Sequence, residues 1–169
     1  MRVFFQDEAS FGRISEPSYC WCPAGTRPVV SCHRVREYMH LYGAVEPKTG
    51  ESFFLVLPRA NTECMSVFVN NLSEEYPHDT IILVVDNATW HTTKKLTIPD
   101  NIVLFFIPPA TPEMNPIEQL WKEIRKIGFK NVAFKTLNEV VDKLCTVVSN
   151  LSNETIQSIC KRNWMKFVF

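Results

Sequence analysis

The chain has 169 residues, in which 18 lysines and arginines balance 18 aspartates and glutamates. A chain of this length is the size of one ordinary domain and can bury a core without disulfides. The balanced charge excludes a strongly basic or acidic overall surface, so a nucleic-acid role would depend on local patches.

The six cysteines and the apolar runs indicate where the protein works. The cysteines are scattered through apolar contexts and no signal peptide precedes them, which favours free thiols in a reducing compartment. The longest apolar runs, 81–85 and 102–107, are far too short to span a membrane. We therefore predict a cytoplasmic protein with no membrane partner.

The first part of the chain has the pattern of a β meander. The apolar residues Val3 to Phe5 lead into Asp7, and the sequence RPVVSC, residues 27–32, follows a loop that contains proline and glycine, so both segments favour strands. Residues 38–46 and 52–58 are rich in β-favouring side chains and flank the sequence PKTG, which predicts a hairpin.

The rest of the chain alternates helix and strand. Residues 62–76 place apolar side chains at helical spacing, and the apolar segment 81–85 then ends at Asp86, which predicts a crossover connection. A short buried strand within 102–107 stops at two prolines, and helical periodicity continues to near the C-terminus. This order predicts an α/β domain with a mixed sheet, in which parallel neighbours set Asp86 near the first strand.

Two adjacent acids, Asp7 and Glu8, follow the first apolar segment. Strand alternation puts Asp7 on the face of Val3 and Phe5 and puts Glu8 on the opposite face, so only one of them serves a given site. We select Asp7, because it ends the more apolar face. A pair of exposed strand-end acids is the alternative.

Asp86 is a second candidate, because it closes a run of five β-favouring apolar residues. A carboxylate in that place must be desolvated, paired or bound to a cation. An Asx turn at the end of the strand is the alternative, since the Asp-Asn sequence suits turns.

Glu118 is a third candidate, at the start of a later helix. Asn115 and Pro116 are typical of an N-cap and a first helical residue. The predicted buried stripe of this helix is Ile117, Leu120, Trp121, Ile124 and Ile127. Glu118 lies one step off the stripe, where a capping box or the helix dipole would explain it as well as a site would.

The three acids share one possible chemistry. Two Mg²⁺ ions about 4 Å apart can activate a nucleophile and stabilise a leaving oxygen in phosphodiester cleavage. Three or so carboxylates suffice to hold them, because water and phosphate oxygens fill the other coordination positions. Asp7, Asp86 and Glu118 are a plausible source of those ligands.

Three segments resemble, in this order, the signature blocks of DDE-type transposases, and in particular those of bacterial insertion sequences related to the mariner group: FFQDEASF, VVDNATWH and NPIEQLWKEIR. The loop WCPAGTRP is similar to the tryptophan, proline and glycine loop of that family. The resemblance implies a ribonuclease-H-like fold, a mixed sheet flanked by helices. It also implies that Asp7, Asp86 and Glu118 are the catalytic acids and hold two Mg²⁺ or Mn²⁺ ions.

The same resemblance implies the function and the partners. It implies a DNA transposase catalytic domain that cleaves element ends and transfers the strand into target DNA, as a homodimer that is nucleoid-associated when bound. His91 would lie near the reacting strand, and Lys122 and Arg125, on the helical face of Glu118, would hold DNA phosphates. A hydrogen-bonded strand-end histidine and a solvated helix face are the alternatives for these three residues.

The resemblance also implies a domain organisation, and two alternative functions are open. Residues 1–169 are expected to be a single DDE catalytic domain, without the helix-turn-helix region that family members carry ahead of the first acid; a separate polypeptide or a fusion would supply it. Another ribonuclease-H-like nuclease, such as a structure-selective resolvase, is one alternative function. A catalytically degenerate remnant that binds DNA or a partner without cutting is the other.

Overall fold

The computed structural model describes residues 1–93, 95–109, 111–162 and 164. Its elements are β1 (Arg2–Ile14), β2 (Arg34–Val45), β3 (Ser52–Leu57), α1 (Thr62–Glu75), β4 (Ile81–Val85), α2 (Thr89–Thr92), β5 (Ile102–Phe106), α3 (Ile117–Gly128), α4 (Leu137–Ser149) and α5 (Asn153–Cys160), with a short 3₁₀ helix at Pro112–Met114 before α3. No helix in these described ranges has both the length and the apolar character to cross a membrane. All six cysteines are free thiols.

One mixed sheet of five strands, in the order β3-β2-β1-β4-β5, organises the chain. Strands β1, β2 and β3 form an antiparallel meander, whereas β4 and β5 run parallel to β1. The crossover from β3 to β4 passes through α1, as a parallel connection requires. The mixed α/β sheet, the hairpin, helix α1 and the strands that end near Asp86 and Ile107 are therefore confirmed.

Side-chain alternation along β1 divides the core into two layers. Phe5, Ala9 and Phe11 point to the face that α3, α4 and α5 cover. Phe4 points to the opposite face and packs with Phe68 of α1. Each position on β1 is thus committed to one of two environments.

The predicted strand at residues 27–32 is wrong. These residues lie in the long loop between β1 and β2, and β2 begins only at Arg34. Val29 is 96% exposed, so its apolar side chain has no core face to pack against. Pro28, which lacks an amide donor, lies within the segment and disfavours ladder pairing.

The end of the buried stripe on α3 also differs from the prediction. The first four residues of the stripe are buried, but Ile127 is 54% exposed. The stripe continues instead from Ile124 to Gly128, where an added Cβ would lie 2.8 Å from Val147 Cγ2 of α4. The missing side chain lets α4 pack against the last turn of α3, and Ile127 is left facing outwards.

Candidate active site

Asp7 and Asp86 come together because β1 and β4 are parallel neighbours. The register pairs Phe5 with Val84, and its continuation beyond the end of β4 sets Asp7 beside Asp86. Residues at the same level of parallel strands point to the same face of a sheet. Both carboxylates therefore belong to the face that α3 covers.

Glu118 approaches the same place from the start of α3. The helix starts one residue later than predicted: Pro116 is the N-cap of α3, with helical angles (φ −66°, ψ −23°), and Asn115 before it is extended. The buried Asn115 donates from Nδ2 to the main-chain oxygen of Gln6 at 2.9 Å, and its Oδ1 accepts from the amide of Ile117 at 3.4 Å. This side chain ties the start of α3 to β1 next to Asp7, and so brings Glu118 to the two aspartates.

The three acids line one open cleft of about 380 Å³. Its other walls come from the loops after β4 and β5 and from the start of α3: Asn87, Ala88, Ile107, Pro108, Pro109, Thr111, Pro112 and Asn115. Within the described part of the chain the Glu118 carboxylate accepts no hydrogen bond, so a capping box does not account for this residue. The cleft has the position expected for a ligand site, at the carboxyl end of a parallel strand.

Asp7 is held between α3 and β2. Trp121 Nε1 donates to Asp7 Oδ2 at 2.8 Å. The indole passes over Gly43, which pairs with Asp7 across β1 and β2; an added Cβ there would lie 2.6 Å from the ring. Burial raises the pKa of Asp7 to about 7; the Trp121 hydrogen bond opposes the shift, and the nearby charges of Glu8 and Glu118 add to it. Among the residues that the structure describes, no positive charge compensates this carboxylate.

Asp86 lines the cleft and also forms the Asx turn that was its alternative interpretation. Its Oδ1 accepts from the amide of Ala88 at 3.0 Å, which is an Asx turn, and lies 2.9 Å from Nδ1 of His91. The side chain is 52% exposed. Its Oδ2 accepts no hydrogen bond from the described residues, so one oxygen is available to a ligand.

His91 is buried rather than exposed to DNA. Its side chain is 1% exposed, and Nε2 lies 3.2 Å from Oε1 of Glu8. Burial lowers the pKa of His91, but the hydrogen bond and charge of Glu8 together with the charge of Asp86 outweigh this and raise it. The structure gives His91 no surface for a phosphate contact, so that expectation is corrected; the hydrogen-bonded histidine alternative describes it.

Glu8 is the residue that sequence reasoning set aside. It points to the face opposite Asp7, as alternation predicts, but its side chain is only 6% exposed. Gln6 Nε2 donates to Glu8 Oε1 at 3.0 Å. The alternative of exposed strand-end acids fails because β1 continues to Ile14, which puts both acids in mid-strand. An acid in mid-strand needs a partner, and that requirement was the missed signal.

Lys122 and Arg125 lie on α3 beyond Glu118, but only the Arg125 side chain has protein partners among the described residues. Lys122 is exposed and makes no hydrogen bond or ion pair within the described ranges. Arg125 donates to the main-chain oxygen of Ser10 at 3.3 Å, and its guanidinium carbon lies 4.9 Å from the ring centre of Phe11. Lys122 is thus free to meet an anion, while Arg125 is partly engaged with β1.

The donor types of Asp7, Asp86 and Glu118 fit a hard divalent cation, which prefers carboxylate oxygens. The raised pKa of Asp7 is a second sign, because a bound cation would offset the burial of its charge. Among the residues that the structure describes, no group of three or more His, Cys, Asp or Glu side chains is placed to hold a metal ion. The acids therefore share one cleft without closing into a metal cage.

Comparison with known proteins first identifies sequence relatives. Residues 2–141 match a family described as DDE superfamily endonuclease. The uncharacterized protein y4pE/y4sA of Sinorhizobium fredii (strain NBRC 101917 / NGR234) is 35% identical over 130 residues, which are 75% of this chain and 96% of that protein.

Solved structures of the Mos1 transposase share the fold. The Mos1 paired-end complex with the left transposon end gives a TM-score of 0.71 at 15% identity, over 94% of this chain and 51% of that chain. The Mos1 mariner paired-end complex with Mn gives 0.69 at 16% identity, over 94% and 51%. The chain thus spans about half the length of the Mos1 chains that it matches. At these identities the likeness concerns the fold, and it confirms the ribonuclease-H-like architecture.

We predict that Asp7→Asn stabilises the metal-free protein at neutral to alkaline pH. The folded pKa is about 7 and the ordinary value is 3.8, so the folded state holds the extra proton and loses stability as the pH rises between these values. Asparagine keeps an oxygen for Trp121 without the charge. Urea unfolding with EDTA at about pH 8 should give a free energy of unfolding higher by about 1 to 4 kcal/mol, and no gain at about pH 3.

The exposed Asp142→Asn on α4 serves as the control and should change neither value. Adding Mn²⁺ should stabilise the wild type more than Asp7→Asn, because a ligand that binds only the folded state shifts its stability. Equal unfolding free energies for wild type and Asp7→Asn across the whole pH range would show that the ionised Asp7 does not destabilise the folded protein.

Proposed function

Because this chain belongs to the DDE superfamily of endonucleases, we propose that it is the catalytic domain of a DNA transposase. On this proposal it cleaves phosphodiester bonds at element ends and joins the freed 3′ end to target DNA. The observation that carries the proposal is the meeting of Asp7, Asp86 and Glu118 in one open cleft. The shared fold with a transposase bound to a transposon end supports it.

Asp7, Asp86 and Glu118 would hold two Mg²⁺ or Mn²⁺ ions in this cleft. Such ions supply Lewis-acid polarisation of the scissile phosphate and lower the pKa of an attacking water. A Mos1 complex solved with Mn supports a divalent cation in a relative of the same fold. Cation binding would compete with the proton of Asp7, so affinity should rise with pH near neutrality.

The chain's own residues set where those carboxylates stand. The Trp121 hydrogen bond fixes one oxygen of Asp7, and the Asn115 bond to Gln6 sets the height of Glu118 above the sheet. Both contacts use side chains that are almost wholly buried, Trp121 at 1% and Asn115 at 5% exposure. Buried supports of this kind hold their rotamers well, and preorganised ligands lower the cost of reaching the transition state.

The proposed partners are DNA at element ends, target DNA and a second copy of the chain on that DNA. The cleft is open to solvent, and Lys122 stands free on the exposed side of α3, one turn beyond Glu118. A free ammonium at that place suits a backbone phosphate. Arg125 would have to release the main-chain oxygen of Ser10, or share the guanidinium, to join it.

One observation supports a second candidate function. The acids are not placed to hold an ion in the described conformation, and a DNA-binding remnant that no longer cuts would show the same arrangement. We favour the nuclease, because all three acids are present and the strained Asp7 has no role in a protein that only binds.

We predict that the chain nicks DNA carrying its element ends in Mg²⁺ or Mn²⁺, and that Asp7→Asn, Asp86→Asn and Glu118→Gln each abolish nicking while the fold is kept. Loss of one metal ligand should cost several kcal/mol of transition-state stabilisation, about a hundredfold to a thousandfold or more in rate. Nicking of labelled duplex, followed on a denaturing gel, measures this.

Glu113→Gln, an exposed acid in the 3₁₀ helix beside the cleft, is the matched control and should nick normally. Near wild-type nicking by Glu118→Gln would overturn the assignment of the third acid. Products that are cut but never joined to a target would favour a different nuclease, and binding without any cutting would favour the remnant.

We predict that Lys122→Ala with Arg125→Ala weakens DNA binding equally for all sequences. Each lost phosphate contact should reduce the slope of log affinity against log salt by about one unit. Fluorescence anisotropy over a salt series measures the slope. Lys48→Ala, at the opposite end of the sheet in the exposed β2–β3 turn, is the control and should leave it unchanged; an unaltered slope in the double variant would make this helix face an ordinary solvated one.

We also propose that residues 1–169 are a catalytic domain whose choice of DNA depends on a segment outside them. The net charge is zero, and α3 packs against the core on one face and carries Glu118 on another. Sequence-specific binding exceeds non-specific binding by about 10³ or more and needs base-edge contacts from an element docked in a groove. The affinity of this chain for its element ends should match that for scrambled DNA at fixed salt. A ratio near 10³ would reveal a base-reading element within the domain.

A further inference from the structure

A buried chain of hydrogen bonds runs from the face of β1 opposite the cleft to the cleft itself. Gln6 Nε2 donates to Glu8 Oε1 at 3.0 Å, and the same oxygen lies 3.2 Å from His91 Nε2. On its other side the ring of His91 contacts Asp86, with Nδ1 2.9 Å from Oδ1 and 3.2 Å from the main-chain oxygen. Gln6, Glu8 and His91 do not line the cleft.

The direction of the bond to Asp86 follows from its acceptors. A main-chain carbonyl only accepts, and it shares Nδ1 of His91 with the Asp86 carboxylate, so Nδ1 carries a hydrogen and donates. The arrangement at Asp86 therefore depends on where the ring is held, and Glu8 holds it from behind.

The bonds at Asp86 are one-sided. Oδ1 accepts both from His91 and from the amide of Ala88, while Oδ2 accepts nothing from the described residues. Helix α2, which carries His91, is a single turn without a side-chain cap at its start. Among the described residues, the Ala88 amide and the His91 ring are thus the two groups that hold the Asp86 side chain.

We propose that Glu8 and His91 are positioning residues, which clamp Oδ1 of Asp86 through a buried hydrogen-bond chain and leave Oδ2 presented to the divalent cation. The inference rests on the proposed function, because it assigns Asp86 as a metal ligand. Mutation of groups that orient a metal ligand through hydrogen bonds typically costs about tenfold to a hundredfold in metal affinity. Neither residue touches the substrate on this proposal.

The test is the affinity of the whole chain for Mn²⁺ alone, measured by electron paramagnetic resonance of the free ion. Glu8→Leu and His91→Phe should each weaken binding about tenfold or more. Because Glu8 acts through His91, Glu8→Leu should have no further effect in the His91→Phe background. Glu8→Gln should restore most of the affinity, since an amide can pair with Nε2 in either protonation state.

A purely structural role predicts a different pattern. Glu46 is the matched control, a buried carboxylate that pairs with Arg2 at 2.6 Å at the other end of β1, and Glu46→Gln should lower stability without changing Mn²⁺ affinity. If Glu8→Leu alone does not fold, the double variant carries the test, because replacing both buried partners by apolar groups of similar size is commonly tolerated. The double variant should bind Mn²⁺ about tenfold more weakly than the wild type.

The outcomes distinguish a failure of the positioning role from a failure of the proposed function. Wild-type affinity in Glu8→Leu or in the double variant, or additive losses in the double variant, would overturn the positioning role while the proposed function stands. A wild-type chain that binds no Mn²⁺ at millimolar concentration would overturn the proposed function, and the positioning role with it.

Discussion

The parallel pairing of β1 with β4 is the constraint on which the rest of the site depends. A parallel register repeats the same face at the same level, so the pairing of Phe5 with Val84 leads the two strands to place Asp7 and Asp86 side by side. A slip of one residue would send one carboxylate to the α1 face. The register is protected because each face is buried: Phe5 and Val84 belong to one core layer, and Phe4 and Leu83 belong to the other.

Helix α3 is attached to that strand pair by three local features. Asn115 binds the main chain of Gln6, Trp121 binds Asp7, and Gly43 leaves the space that the indole occupies. Both hydrogen bonds end on β1, so the helix that carries Glu118 is aligned directly on the strand that carries the first acid. The third acid is thereby tied to the first through side chains, with no need for pairing within the sheet.

Much of this could be predicted from the sequence, because periodicity and caps are local. The hairpin at PKTG, α1, β4, β5 and the helix start at Asn115-Pro116, predicted to within one residue, are all local patterns, and they place the three acids in order. Apart from the strand wrongly predicted at residues 27–32, the failures are tertiary. The close packing of α4 at Gly128 determines that Ile127 faces outwards, and the length of β1 makes Glu8 a mid-strand acid. Glu8, the hydrogen-bond partner of the buried His91, is 83 residues away in the sequence. Periodicity cannot report such distant partners.

Asp7 and Glu8, adjacent residues of β1, show how one strand supplies a carboxylate whose charge is destabilised by burial and another that has hydrogen-bond partners. Glu8 faces a layer that offers it Gln6 and His91, so its charge is compensated by protein groups. Asp7 faces the other layer, where Trp121 is its side-chain donor and the charges of Glu8 and Glu118 oppose ionisation. No described residue supplies a positive charge to Asp7, and this is the condition that favours a bound cation. Because alternation sends the two carboxylates to opposite faces, the chain can stabilise one and leave the other for a ligand within a single strand.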